Sequence, residues 1–324
     1  MPELPEVETI RRSLEPLILH ARIAAYYAYD PRAFISDLNP EICLGAEIVA
    51  LRRHGKYLLI DLCSARGAWT LMAHFRMTGA FIVRSPLERL EKRVSFRFFL
   101  ENAGPEALAF CSETDLAPQG FFLDLLEMPD AYDSGQDPSH LPARGFFLDF
   151  EDTRRFGSLK LFPAAGESED PGFAALGLDA LDPALSFEEF WKRWPKHSTR
   201  AIKSLLLDQH FVAGYGNIYA DEALFRAKIA PMRRVASLTK REAECLYRIG
   251  RELLEEAIGH QGCSFRDYVD GLGRHGHFQA ELAVYQREGL SCPRCGRQIE
   301  VTEIAGRRSR YCPGCQPKRC RGRT

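Results

Sequence analysis

Residues 291–316 read SCPRCGRQIEVTEIAGRRSRYCPGCQ, in which Cys292 and Cys295 form one Cys-x-x-Cys pair and Cys312 and Cys315 a second, sixteen residues later. Each short pair turns two thiols toward one point, and a β-hairpin in the spacer brings the two pairs together. This is the spacing of a tetrahedral four-cysteine zinc site. Four protein ligands leave no position for water, so the expectation is one structural Zn2+ and no catalytic metal. Disulfides or a redox pair are the alternative. Arg307, Arg308 and Arg310 stand just ahead of Cys312. From 284 to 324 there are ten Arg or Lys against three Glu, a charge of +7 that a small hairpin does not need for its own stability. A nucleic-acid backbone is the natural target, with a merely solvated basic face as the alternative.

Upstream of this finger the period of the apolar residues is helical. SFEEFWKRW places Ser186 three residues before Glu189, and TKREAECLYRIGRELLEEAI places Thr239 three before Glu242, both in capping-box spacing. TRAIKSLLLDQ and GNIYADEALFRAKI lie between them, so four helices are expected over about 184–260. AELAVYQREG and QIEVTEI then read as a return to short strands. Further upstream PAAGESEDPG, 163–172, reads as a linker. Before it come ARIAAYYAY, AEIVALRRHGKYLLIDL, GAWTLMAHF, GAFIVR, RVSFRFFL and GFFLDF, β-forming runs separated by turn residues. They predict an antiparallel sandwich or barrel to about residue 162.

The fold class is therefore α+β and multidomain. An N-terminal β-sandwich domain with a leading helix spans 1–162, a linker 163–180, a helical domain 181–280 and a zinc-finger hairpin with basic tail 283–320. The stretch 101–145 carries nine Asp or Glu against one Arg, and its length and charge of −8 mark it as an insertion. The remaining chain is neutral, so the overall charge of −1 hides two opposed segments. With 45% hydrophobic and 27% charged residues and no apolar run of the roughly 20 needed to cross a bilayer, the composition predicts a soluble cytoplasmic protein without a membrane partner. Cys43, Cys63, Cys111, Cys245 and Cys263 read as free buried thiols, and Cys320 as a bystander to the finger.

Two stretches resist a purely structural reading. HFVAGYGNIYADE sets Gly214 and Gly216 before a helix starting near Asn217. Its outward amides offer a phosphate site, and an ordinary stop-and-cap signal explains the residues equally well. The N-terminal MPELPEVETIRRSL begins a helix, with Pro5 in the first turn, Glu6 and Glu8 at the positive end, and Val7, Ile10, Leu14 and Leu17 at helical spacing. That account leaves Pro2 and Glu3 unexplained.

PELPEVE, HGKYLL (54–59), HFRMTG (74–79), DTRRFG (152–157), LLLDQHFVAGYGNIYADE, DYVDGLGRHGHFQ and the finger ending RYCPGCQ, taken in this order, resemble the formamidopyrimidine-DNA glycosylase family of base-excision repair enzymes over nearly the whole chain. The resemblance implies a β-sandwich domain, a helix-two-turn-helix domain and a zinc finger, with double-stranded damaged DNA in the cleft between the domains. It implies release of oxidised purines, chiefly 8-oxoguanine and formamidopyrimidines, then cleavage of the abasic strand by β,δ-elimination, and action as a monomer. The damaged base is flipped into a pocket, and unstacking is easiest for a lesion that pairs poorly.

The family's nucleophile falls on Pro2, freed by removal of Met1. An α-amine with a pKa near ~8 is about a quarter neutral at pH 7.5, against under about 1% for lysine near ~10.4, and a secondary amine still forms a cationic imine. Glu3 matches the acid near the sugar ring oxygen, and Glu6 the residue that orients the terminus and helps hold the lesion, as Lys203 is implied to do more weakly. Lys56, His74, Asn217 and Arg307 match the phosphate clamp, with Lys56 and Arg307 close to the chemistry. Met77, Arg154 and Phe156 match the wedge that fills the gap left by the extruded base.

The chain departs from the family pattern at three places. Arg76 stands where many relatives have glycine, Asp152-Thr153 replaces the usual Asp-Pro, and the 101–145 insertion is additional. Six strand residues of ~3.3 Å each put the end of that insertion about 20 Å from Arg154, and a protein contact or a solubilising flap is the expected role. Endonuclease VIII type specificity for oxidised pyrimidines is the nearest alternative. A non-catalytic zinc-dependent sensor of damaged DNA is a second, and the presence of both Pro2 and Glu3 argues against it.

Overall fold

A computed structural model describes residues 2–85, 88, 90–101 and 145–318. The interior of the acidic insertion, Cys111 and Cys320 lie outside the described residues. The described chain separates into two compact units: residues 2, 6–174 and 263–276 in one, residues 3–5, 175–262 and 277–318 in the other.

Helix α1 (Leu4–Ile18) opens the chain. Val7, Ile10, Leu14 and Leu17 are buried, which is the stripe that the sequence period predicts, and Ile18 extends it. Eight strands follow: β1 (Arg22–Ala28), β2 (Glu47–His54), β3 (Tyr57–Ser64), β4 (Gly67–His74), β5 (Gly79–Arg84), β6 (Val94–Glu101), β7 (Phe146–Asp152) and β8 (Ser158–Pro163). Among the described residues they form one antiparallel sheet in the order β5-β7-β6-β1-β2-β3-β4-β8. Phe81, Phe96 and Phe150 from one end share a core with Ile60, Leu71 and Leu161 from the other and with the α1 stripe. One continuous sheet thus folds over itself, so the two layers of the sandwich are halves of a single ladder. Each of these large side chains contributes about 1.5–3 kcal/mol by leaving water.

Strands β6 and β7 are buried on both faces. Their second face carries Arg97 and Asp149, paired at 2.5 and 2.6 Å, with the guanidinium 4.2 Å from the Phe147 ring centre. The stretch 163–180 holds a 3-10 turn at Gly166–Glu169 and the short helix α2 (Pro171–Ala174). Arg52 reaches Glu167 at 3.0 Å, and Lys160 pairs with Asp170.

In the second unit β9 (Leu178–Asp179) pairs in parallel with β10 (Val212–Ala213). Helices α3 (Phe187–Lys192), α4 (Ile202–Leu206), α5 (Asn217–Arg226) and α6 (Lys240–Gly259) match the four expected. Ser186 caps α3 through the Glu189 amide, and Thr239 with Glu242 forms a complete capping box on α6. AELAVYQREG does not form the expected strand. A 3-10 turn at Phe278–Glu281 runs into its first two residues, and the N–H groups of Ala283, Val284 and Tyr285 donate to the buried Glu222 carboxylate at 3.0, 2.8 and 2.8 Å instead of to a neighbouring strand. The finger hairpin is β11 (Glu300–Ile304) paired with β12 (Arg307–Tyr311). Cys43 and Cys263 are buried free thiols as expected, whereas Cys63 is exposed and Cys245 half-buried.

Candidate functional site

Pro2 and Glu3 are both buried. Glu3 accepts the N–H groups of Gly216 at 2.9 Å, Ile218 at 3.0 Å and Tyr219 at 3.3 Å, which are the unsatisfied donors at the start of α5. Leu4 N–H donates to the Gly214 carbonyl at 3.2 Å. The anion at this helix start is therefore Glu3, which favours the capping reading of this stretch over the phosphate site weighed equally with it. The glycines are explained by the same contact. A Cβ on Gly216 would lie 2.2 Å from Glu3 Cδ, and one on Gly214, at φ +120, would lie 2.4 Å from Leu4 Cδ1. Gly216→Ala must push Glu3 off the helix start, and the Ile218 and Tyr219 amides should then exchange with solvent about 30-fold faster or more while the finger stays folded. Unchanged exchange would show that Glu3 does not hold this helix start.

Glu6, also buried, accepts the Cys263 N–H at 2.8 Å, and Tyr268 Oη donates to the Glu6 carbonyl at 3.3 Å. These contacts start the DYVDGLGRHGHFQ segment, which Asp270 shapes by accepting the Leu272 and Arg274 N–H groups, both at 2.9 Å. Gly271 N–H donates to Ser13 Oγ at 2.8 Å, and Val83 N–H donates to the Gly271 carbonyl at 2.8 Å, so the segment is tied to α1 and β5.

Lys56 sits in the β2–β3 turn after Gly55, whose φ is +58. Arg53 steadies that turn by donating to the Gly55 carbonyl at 3.2 Å and to Glu8 on α1 at 3.0 Å. His74 ends β4 and packs edge-on to Tyr57 across the ladder, ring centres 4.5 Å apart. Its Nδ1 accepts the Arg76 N–H at 3.1 Å, which leaves the proton on Nε2. Burial, followed by the charges of Arg76 and Lys56, pushes His74 down to about 3. The ring is neutral at physiological pH and offers one N–H donor.

Met77 and Phe156 are 40% and 62% exposed, unusual for such residues, and Arg154 Nη1 lies 3.4 Å from Met77 Sδ. Arg76 has φ +53 and Arg155 φ +55. Position 76 thus adopts the left-handed conformation that glycine takes freely and arginine holds at a cost of roughly 1 kcal/mol.

In the second unit Asn217 opens α5, and its Nδ2 donates to the Arg308 carbonyl at 3.3 Å. Lys203 is fully buried, paired with Asp221 at 2.6 Å, and donates to the same carbonyl at 3.3 Å. Asp221 in turn accepts the Arg310 N–H at 3.0 Å. Burial pushes Asp221 up to about 6 and pushes Lys203 down, each shift partly offset by the partner's charge. Arg307 begins β12 and is exposed. The Sγ atoms of Cys292, Cys295, Cys312 and Cys315 all lie within 4.8 Å of one another, with 3.8 Å from Cys292 to Cys315 and 3.4 Å from Cys295 to Cys312. Four thiolates about 2.3 Å from one tetrahedral ion stand roughly 3.8 Å apart, so the cluster fits a metal. It does not fit disulfides, whose sulfurs are about 2.05 Å apart.

Two family models match the chain, the formamidopyrimidine-DNA glycosylase N-terminal domain over residues 1–114 and the formamidopyrimidine-DNA glycosylase H2TH domain over residues 176–268. Formamidopyrimidine-DNA glycosylase of Desulforamulus reducens is 40% identical over 98% of this chain and 99% of its own length. The chain belongs to the formamidopyrimidine-DNA glycosylase family. Among solved members, the MutM (Fpg) protein of Thermus thermophilus is 36% identical with a TM-score of 0.75, covering 97% of this chain and 98% of its own. Lactococcus lactis Fpg in complex with an abasic site containing DNA has a TM-score of 0.77 at 29% identity, covering 98% of this chain and 100% of its own. The eight-stranded sheet and the helical unit with its four-cysteine hairpin are thus the formamidopyrimidine-DNA glycosylase fold.

Several residues that hold these segments in place do not stand out in the sequence. Ser13, Asp221 and Glu222 act through polar contacts distant in sequence and Asp270 through amides two and four residues ahead, and no spacing marks them. Lys203, read as a lesion contact, is enclosed by Asp221 and the Arg308 carbonyl.

Proposed function

We propose that this chain excises oxidised purines from duplex DNA, with the Pro2 nitrogen as nucleophile, and then cleaves the strand at the abasic site. The observation that carries the reading is the seating of Glu3, next to Pro2, on the start of α5 in a chain of this family. With Met1 removed, the Pro2 lone pair forms a bond to C1′ as the bond from C1′ to the base breaks and the base leaves with a proton. The Glu3 carboxylate takes the proton that the Pro2 nitrogen sheds after bonding to C1′ and passes it to O4′ as the sugar opens, which leaves a cationic imine between Pro2 and C1′. Loss of the 2′ proton expels the 3′ phosphate, and loss of the 4′ proton expels the 5′ phosphate. Water then returns the free amine.

Glu6 orients the terminus and, with Lys203 acting from its buried seat, supports lesion recognition. Lys56, neutral His74, Asn217 and Arg307 hold phosphates, and Met77, Arg154 and Phe156 replace the extruded base in the stack. Cys292, Cys295, Cys312 and Cys315 would hold a structural Zn2+, which would fix the hairpin that bears Arg307. No helix among the described residues is long and apolar enough to cross a membrane. Monomeric action in the bacterial cytoplasm completes the proposal.

Duplexes with 8-oxoguanine or thymine glycol test the substrate. Faster single-turnover release of 8-oxoguanine is expected. A preference for thymine glycol would instead assign the chain an endonuclease VIII type specificity.

A further inference from the structure

Met77 and Phe156 protrude from two different turns, β4–β5 and β7–β8, and both side chains are exposed. Their positions depend on the backbones of those turns. Both backbones converge on the buried Asp152, the last residue of β7. One carboxylate oxygen accepts the Thr78 hydroxyl and, at 3.1 Å, the Arg154 N–H, and the other accepts the Phe156 and Gly157 N–H groups at 2.7 and 2.6 Å. Thr78 Oγ1 also accepts the Arg154 N–H at 3.1 Å, so one hydroxyl links the two turns in both directions. A Cβ on Gly157 would lie 2.8 Å from Phe150 Cζ and 3.0 Å from Asp152 Oδ2, so only glycine lets this amide approach.

We infer that Asp152, with Thr78 as its bridge, is a positioning residue that sets Met77, Arg154 and Phe156 as one rigid wedge. This rests on the wedge role proposed above. Its two oxygens take up four donors, among them the buried Gly157 N–H, and misplacement by about 1 Å is enough to cost large factors in rate. The wedge matters most when an intact base must be unstacked, and least when the site is already abasic.

Single-turnover rates on duplexes with 8-oxoguanine and with a preformed abasic site separate this role from general support of the fold. Asp152→Asn turns an NH2 donor toward amide donors, and it should slow 8-oxoguanine release about 30-fold or more but abasic cleavage by no more than about threefold. Thr78→Val should show the same asymmetry at about tenfold, and Thr78→Ser, which keeps the hydroxyl, should restore the rate to within about threefold. In a Phe156→Ala background, Asp152→Asn should add less than about threefold. Equal slowing on both duplexes, or independent effects in the double variant, would overturn the inference. If Asp152→Asn does not fold, the Thr78 pair decides by the same asymmetry. Amide exchange reads the anchor without reference to activity. Phe156 and Gly157 should be protected in the native protein and exchange about 30-fold faster in Thr78→Val. A native protein that protects these amides yet releases no 8-oxoguanine would refute the proposed function and leave the anchor standing, whereas unprotected amides would refute the anchor itself.

Discussion

Pro2→Gly should lower single-turnover release of 8-oxoguanine by about 100-fold or more while binding to lesion DNA weakens by no more than about threefold. Pro2 is buried beside Glu3, whose carboxylate is fixed by three amides at the start of α5, so the Pro2 nitrogen belongs to an ordered segment. Glycine keeps a terminal amine but loses the ring that fixes φ and the secondary character of the nitrogen. The contacts proposed for the phosphates come from Lys56, His74, Asn217 and Arg307, none of which the substitution touches. A nucleophile that acts only in the reaction therefore separates from groups that bind in the ground state. Equal loss of binding and turnover in Pro2→Gly, measured by titration and single-turnover kinetics on the same duplex, would contradict that division.

Loss of the metal should have the opposite signature and damage both. Cys312 follows β12 directly, and the hairpin packs Cys292, Ile299 and Cys312 against Phe225 and Val284, a small apolar cluster for a segment this charged. Zinc binding in isolated fingers supplies apparent free energies of about 10–16 kcal/mol, far beyond what such a cluster contributes. Without it β12 loses its register, and with it the Arg308 carbonyl that accepts from Lys203 and Asn217. Cys312→Ser, or chelation of the native protein, should therefore weaken lesion-DNA binding about 100-fold or more and flatten its salt dependence as the Arg307 contact is lost. Metal content, binding across a salt series and turnover check this together. A metal-free protein that still binds with the native affinity and slope would show that the finger holds no part of the DNA.

The elements that sequence revealed are those whose cause is local. Runs rich in β-formers anticipated β1 to β7 but not β8, capping residues placed α3 and α6, and the cysteine spacing found a cluster whose sulfurs lie within reach of one ion. What sequence hid depends on partners far along the chain. A Gly-rich start to α5 looks the same whether a phosphate or a carboxylate fills it, and only folding brings Glu3 there, 213 residues from Gly216. AELAVYQREG has strand-like composition, yet Glu222 takes the amides a strand would need. Arg97 and Asp149 look like solvent-facing positions in alternating strands, but both faces of β6 and β7 are buried and the charges are paired inside. The left-handed turn at Arg76 belongs to the same class, since nothing in an arginine announces a positive φ.

The central claim is that the N-terminal proline, and no lysine, carries the covalent chemistry. Borohydride reduction during reaction with an 8-oxoguanine duplex, followed by proteolysis and mass mapping of the cross-link, tests it most directly. The prediction is a single adduct on the N-terminal peptide, at the nitrogen of Pro2, in protein that has lost Met1. No adduct at all, or one that maps to Lys56 or Lys203, would contradict it.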